Sequence, residues 1–242
     1  MAKDRDAIVV GAGVIGSAVA YFLQEEGLSV CLIDRGAVAA GTTSASAGHT
    51  SVQGRVPGPA LDLALANVRL LGEPKRALPD DFEYVQSGGL ILPFADHGLE
   101  APPEVEGELQ KKRYLKQTGA GGFQGRFYVG STSEFRGFDR SSSWEGVSQL
   151  CQYAIDTVPA LARARLVRGW AGLRPRSRDG TFIIGEAPGC PGFWLATGHD
   201  SIGILYSAMT GRLLSQWIRT GERPALLAMF DPARPSLAAA AP

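Results

Sequence analysis

Ala7-Ile8-Val9-Val10-Gly11-Ala12-Gly13-Val14-Ile15-Gly16 decides the fold. Four apolar, largely β-branched residues predict a buried strand over 7–10, and the glycines that follow predict a turn into a helix over 14–26. Gly27 suits the end of that helix, because a left-handed residue there costs glycine little. Ser29-Val30-Cys31-Leu32-Ile33 predicts a second short strand, and the whole forms a βαβ unit. Asp34 closes that strand 23 residues after Gly11. In a G-x-G-x-x-G turn of this kind the first glycine permits the tight bend. The second lets backbone approach a pyrophosphate, and the third lets helix and strand pack closely. The first turn of the helix, from Val14 and Ile15, offers unpaired N–H groups and the positive end of a dipole to phosphate. Asp34 is placed to accept hydrogen bonds from ribose hydroxyls, and its carboxylate argues against Arg35 as a reader of a 2′-phosphate.

Residues 7–23 carry no charge and follow Lys3 and Arg5, so they resemble a signal-peptide core. The regularly spaced glycines argue against a membrane helix, and no other segment approaches the ~20 apolar residues needed to span a bilayer. The chain has 242 residues, 45% of them apolar and 20% charged, enough for one large domain or two modest ones. Lys plus Arg and Asp plus Glu each number 24, which argues against nucleic-acid binding. The balance is uneven: residues 1–100 hold 7 basic and 12 acidic side chains, and the remainder 17 and 12. Three cysteines without a C-x-x-C spacing give neither a disulfide framework nor a metal site. They point to the reducing cytoplasm, with the inner face of the membrane as a second location.

Farther along, Gly41 to Gly48 is a run of small and hydroxylated residues that lets backbone lie against a large flat ligand. The run 60–71 predicts a helix with Leu61, Leu65 and Val68 on one face, and 82–86 and 89–93 predict a strand pair. Residues 95–122, with Lys111-Lys112-Arg113, read as a loop or linker. Phe127–Gly130 reads as a strand. Ser142-x-x-Glu145 fits a capping box opening a helix with Trp144, Val147, Cys151, Ala154 and Val158 inward. Strands are expected over 181–185 and 193–197. The last helix runs from about Ile204 to Arg219, with Leu205, Met209, Leu213 and Trp217 in one row, and the stretch after Pro232 is expected to fray.

The glycine turn alone does not separate NAD from FAD. The small-residue run, Gly172-Leu173-Arg174-Pro175, the segment Asp179–Gly185, and Thr197-Gly198-His199 with Gly203 together resemble the D-amino-acid oxidase and glycine oxidase (DAO) family of FAD-dependent amine oxidoreductases. Within it, SASAGHTSVQGRVPGPALDLAL, SGGLIL, GSTSEFRGFDR and WAGLRPRSRDG resemble the flavin subunits of D-hydroxyproline dehydrogenases and opine oxidases. The resemblance implies an α/β fold: a Rossmann-like FAD domain over 1–80 plus 165–230, and an antiparallel-sheet substrate domain over 81–164, followed by a tail at 231–242. It implies FAD lined by Gly11, Gly13, Asp34, Arg35, Thr42, Thr43, Ser44, Ala47 and Gly48, with Gly198, His199, Gly203 and Ile204 beside the flavin pyrimidine.

It further implies that Arg174 clamps a substrate carboxylate, a task suited to the guanidinium fork. His49 could sit near the flavin ring or be an ordinary loop histidine. The expected partners are a small carboxylate-bearing amine and, in a hetero-oligomer, other dehydrogenase subunits. The expected reaction is oxidation of the C–N bond of a D- or N-substituted amino acid by hydride transfer to flavin N5. Only residues 93–125 occupy an interval that is about 100 residues longer in the family, and Phe182 stands where the family has proline. A truncated, non-catalytic relative that binds nucleotide weakly or serves as a structural subunit is the second reading. An NAD-dependent reductase is a third, and it leaves the C-terminal motifs unexplained.

Overall fold

A computed structural model of the chain describes residues 4–52, 55–73, 114–118 and 126–239. The expected strand pair over 82–93 and the cluster Lys111–Arg113 lie outside the described residues. The chain divides into two compact units: residues 1–52, 57–77 and 174–242 form one, and 53–56 with 78–173 the other.

In the first unit, β1 (Ala7–Val10) pairs in parallel with β2 (Val30–Ile33), with Ala7 opposite Val30 and Val10 opposite Ile33. Helix α1 (Val14–Glu25) connects them, as the glycine pattern predicts. Gly27 takes φ +86°, and the Leu28 N–H returns to the Leu23 carbonyl to close the helix end. Helix α2 (Pro59–Gly72) follows, started by proline in its first turn. After Arg174 come the antiparallel pair β5 (Ile183–Glu186) and β6 (Trp194–Thr197), then the long helix α4 (Gly203–Thr220) and the short helix α5 (Pro235–Ala239).

The core joins Val19 and Leu23 of α1, Leu63 and Ala64 of α2, Ile184 of β5, and Leu205, Tyr206, Met209 and Leu214 of α4. Phe182 enters the same core, stacked on Phe230 and edge-on to Tyr206. The row Leu205, Met209, Leu213 and Trp217 lies on or against this core as expected.

Close helix packing is set by absent side chains. A Cβ at Gly211 would lie 2.6 Å from the Ala18 carbonyl carbon, so α1 and α4 meet backbone to backbone. Ser215 Oγ then donates to the Val19 carbonyl at 3.3 Å.

The face of α2 differs from the expectation. Leu61, Leu65 and Val68 are only part-buried, while Leu63, Ala64 and Asn67 are fully buried. Part of the reason is polar: Asn67 Oδ1 accepts the backbone N–H of Met209 at 2.7 Å, so the face turned to the core is the one that carries Leu63, Ala64 and Asn67. The stretch after Pro232 does not fray at Arg234, whose guanidinium binds Asp179.

One face of the β1–β2 pair is bare. Ile8 is 66% exposed, Val10 79% and Ile33 46%. Parallel sheets normally have both faces covered. Cys31 is half-buried on that same face, opposite Ile8.

In the second unit, β3 (Tyr114–Thr118) pairs antiparallel with β4 (Arg126–Gly130), so part of the stretch expected to be loop is a strand. Helix α3 (Trp144–Thr157) is capped by Ser143, one residue later than the capping-box reading. Ser143 Oγ accepts the Gly146 N–H at 3.0 Å and donates to Glu134 at 2.7 Å. Trp144, expected inward, is 78% exposed because the shifted cap places it at the first helical position. Val158 leaves the helix, and Pro159 opens a short 3-10 turn to Arg163.

Candidate functional site: a dinucleotide cradle

The first cluster is built at the N-terminus of α1. Gly11 adopts φ +107°, a conformation open to glycine and strained for other residues. A Cβ at Gly16 would sit 1.8 Å from the Gly11 carbonyl oxygen, so the turn folds back onto the helix only with glycine there. The Asp34 carboxylate accepts the Ala12 N–H at 2.7 Å through one oxygen and the Gly36 N–H at 2.8 Å through the other. These bonds, the one from Ala12 foremost, hold its carboxyl below the usual carboxylate range. Asp34 is exposed, and a carboxylate with about four acceptor sites retains capacity for ribose hydroxyls. Arg35 is exposed beside it.

The small-residue loop comes up against this turn. Thr42 precedes a short 3-10 turn, Thr43–Ala45. Thr43 Oγ1 accepts the Val14 N–H at 3.0 Å and lies 3.3 Å from where a Gly13 Cβ would be. Ser44 Oγ donates to the Gly41 carbonyl. Ala47, Gly48 and His49 follow, all exposed. Ile15 is part-buried inside α1.

The second cluster lies at the N-terminus of α4. Gly198 and His199 are buried, and Gly203 and Ile204 open the helix. The His199 ring faces the core: it stacks on Phe182 at 4.5 Å between centroids, and its Nε2 lies 3.3 Å from Thr210 Oγ1. Burial lowers its pKa to about 4, so the ring is neutral at pH 7. Its Nδ1 is buried and has no hydrogen-bond partner among the described residues. Arg174 is exposed at the start of a loop docked on this cluster, where Pro175 O accepts the Asp200 N–H at 3.0 Å and Arg176 bridges to His199.

Two features here escape sequence reading. Asp200 has φ +47° and a buried Oδ1 with no hydrogen-bond partner among the described residues. Asp179, read only as part of a motif, is almost fully enclosed by donors. Among the described residues no cluster of His, Cys, Asp or Glu could hold a metal ion, and no helix is long and apolar enough to cross a membrane.

The two clusters are tied through the α1–α4 contact. Gly13 is five residues before Ala18 and Gly203 eight before Gly211, about 7.5 and 12 Å of helix rise from the contact. The Val14 N–H, expected to be unpaired, is taken by Thr43 Oγ1, which also lies beside Gly13; the exposed Asp34 carboxylate and the positive end of α1 fit the ribose and pyrophosphate of a dinucleotide. Replacing Asp34 by alanine removes the exposed carboxylate of this cluster, and FAD affinity should fall roughly tenfold or more in a fluorescence titration. Unchanged affinity would exclude Asp34 from the site.

Comparison with known proteins gives the family and the fold. The sequence model of the family described as DAO, FAD dependent oxidoreductase, matches in two pieces, residues 6–119 and 101–217. Hydrogen cyanide synthase subunit HcnC of Pseudomonas protegens is 42% identical over 100 residues, 41% of this chain and 24% of the relative. Glycine oxidase of Geobacillus kaustophilus is 38% identical over 106 residues, 44% of this chain and 28% of the relative. The matched stretch thus spans about a quarter of these relatives' length.

Among solved structures, glycine oxidase from Bacillus cereus superposes with a TM-score of 0.75 at 18% identity, covering 93% of this chain and 97% of the other. L-proline dehydrogenase from P. horikoshii gives 0.66 at 14% identity, covering 97% and 98%. These likenesses show the mixed α/β fold, a Rossmann-like part with antiparallel strands. By its sequence, the chain belongs to the DAO family of FAD-dependent oxidoreductases.

Proposed function

We propose that this chain binds FAD and oxidises the C–N bond of a D- or N-substituted amino acid of the imino-acid or opine type. The observation that carries the reading is the union of Asp34, Gly13 and Thr43 in one cradle, linked to the 198–204 segment through packed helices. FAD, when bound, supplies the acceptor for the hydride that leaves the substrate Cα. The Gly11–Gly16 turn and Asp34 would hold its pyrophosphate and ribose. The N-terminus of α4 would present its positive dipole end where negative charge collects.

Arg174 would bind the substrate carboxylate through two parallel N–H donors and so fix the orientation of the Cα–H bond. An amine bound as the free base needs no further proton acceptor for hydride loss, and water then hydrolyses the resulting iminium ion. His49 is not required by this scheme. HcnC is named as a subunit, and the same form of assembly is proposed here.

Purified protein should show flavin absorbance that bleaches anaerobically with D-proline, D-hydroxyproline or an opine. Arg174→Ala should then raise KM for the amino acid on the order of 100-fold, the loss of a charge-assisted fork. An unchanged KM in an active preparation would remove Arg174 from the site. The second reading, a non-catalytic relative, is favoured by the bare Ile8–Val10–Ile33 face and the short interval at 93–125. A colourless protein that takes up no FAD on titration would establish it.

A further inference from the structure

Asp179 sits at the tip of the loop that begins with Arg174, and five donors enclose its carboxylate. Arg234 Nε reaches Oδ2 at 2.7 Å and Arg234 Nη2 reaches Oδ1 at 2.8 Å. Ser236 Oγ donates to Oδ2 at 2.7 Å. From within the loop, the Thr181 N–H and Ser177 Oγ each reach Oδ1 at 3.1 Å. Both members of the ion pair are only 10% exposed at the side chain.

Arg234 spends its remaining donors on backbone. Nη2 also reaches the Thr181 carbonyl at 2.8 Å, and Nη1 reaches those of Phe230 and Asp231 at 3.1 Å. Phe230 is itself a core residue stacked on Phe182. The guanidinium therefore fastens the loop to the core at a point 55 residues away in sequence.

The loop passes that constraint on. The single Ser177 hydroxyl proton is shared between Asp179 Oδ1 and the Thr181 carbonyl, which lies 2.7 Å from Oγ, and the Gly180 N–H donates to the Ser177 carbonyl at 3.2 Å. Ser177 Cβ lies 3.3 Å from where a Gly198 Cβ would be. The Arg176 N–H is bonded to the Arg174 carbonyl at 2.9 Å, and the Asp200 N–H to the Pro175 carbonyl at 3.0 Å. A chain of contacts thus runs from Arg234 through the loop to the backbone of Arg174 and to Gly198 and Asp200 ahead of α4.

We infer that Arg234 is a positioning residue: acting through Asp179, it sets the placement of Arg174 and hence the affinity for the substrate carboxylate. This rests on the reading of Arg174 as the carboxylate clamp. A lysine cannot replace the arginine, because one ammonium does not span both carboxylate oxygens and the Thr181 carbonyl.

The test uses the full chain with Arg234→Gln and Arg234→Lys. Amide hydrogen exchange over 174–181 should quicken about tenfold or more in both variants, with amides 205–215 of α4 unchanged. Calorimetric titration with D-proline should show binding about tenfold weaker in Arg234→Lys, and no further weakening when Arg234→Lys is added to Arg174→Ala. Exchange that quickens equally in α4, or that is restored by lysine, overturns the positioning role. If exchange behaves as stated but Arg174→Ala leaves D-proline binding intact, the clamp reading fails, and with it the link from Arg234 to the carboxylate.

Discussion

Gly211→Val should cost about 3 kcal/mol of stability, read as a fall in the urea midpoint with an unchanged slope. The sign is informative. In an exposed helix interior, replacing glycine stabilises, by roughly 1 kcal/mol in the case of alanine. Here the first added carbon would meet the Ala18 carbonyl carbon at 2.6 Å and its oxygen at 2.7 Å. Both atoms are backbone, so no side chain can swing aside. The helices must separate, and the Ser215 bond to the Val19 carbonyl and the contacts of Leu214 and Val19 are lost with that separation. Gly211→Ala should lie between the wild type and valine. A variant as stable as the wild type would show that α1 and α4 do not meet in this register.

The second large effect is one of pH. His199 is 2% exposed and its ring titrates at about 4 in the folded chain, against about 6.5 when unfolded. Above pH 6.5 both states hold it neutral, and the full stability is present. As pH falls from 6.5 towards 4, the unfolded chain takes up a proton that the folded chain refuses, so stability declines by roughly 3 kcal/mol in all. Denaturant midpoints at pH 7 and pH 4.5 should differ accordingly, and His199→Gln should remove most of the difference. Asp179 adds to the loss at lower pH: the Arg234 guanidinium holds its carboxyl below the usual range, and that contribution persists above the unfolded value and fades as acid protonates the folded group. An equal pH dependence in His199→Gln would assign the acid sensitivity elsewhere.

Local pattern makes much of this legible. The strand–turn–helix–strand from Ala7 to Ile33 is readable because glycine spacing, β-branching and the Asp34 position all agree. The row on α4 is readable because an apolar stripe at helical spacing faces the core. The α2 face is not, because it includes Asn67, and hydropathy has no means of marking an asparagine that serves another helix's N–H. The Ser143 cap escapes a reading that sees three consecutive serines and chooses by the downstream glutamate. The Arg234–Asp179 pair escapes altogether, since 55 residues separate its partners and the arginine stands in a proline- and alanine-rich stretch. Within the site, the motif residues near Gly13 come together as expected. For His199 the side chain and the backbone must be told apart, and only coordinates do that.

Backbone contact between α1 and α4 leaves neither helix free to rock on the other, so their first turns behave as the two jaws of a fixed gauge. A ligand long enough to reach both finds the separation already set, and the entropy of ordering them is lost when the chain folds and not when the ligand arrives.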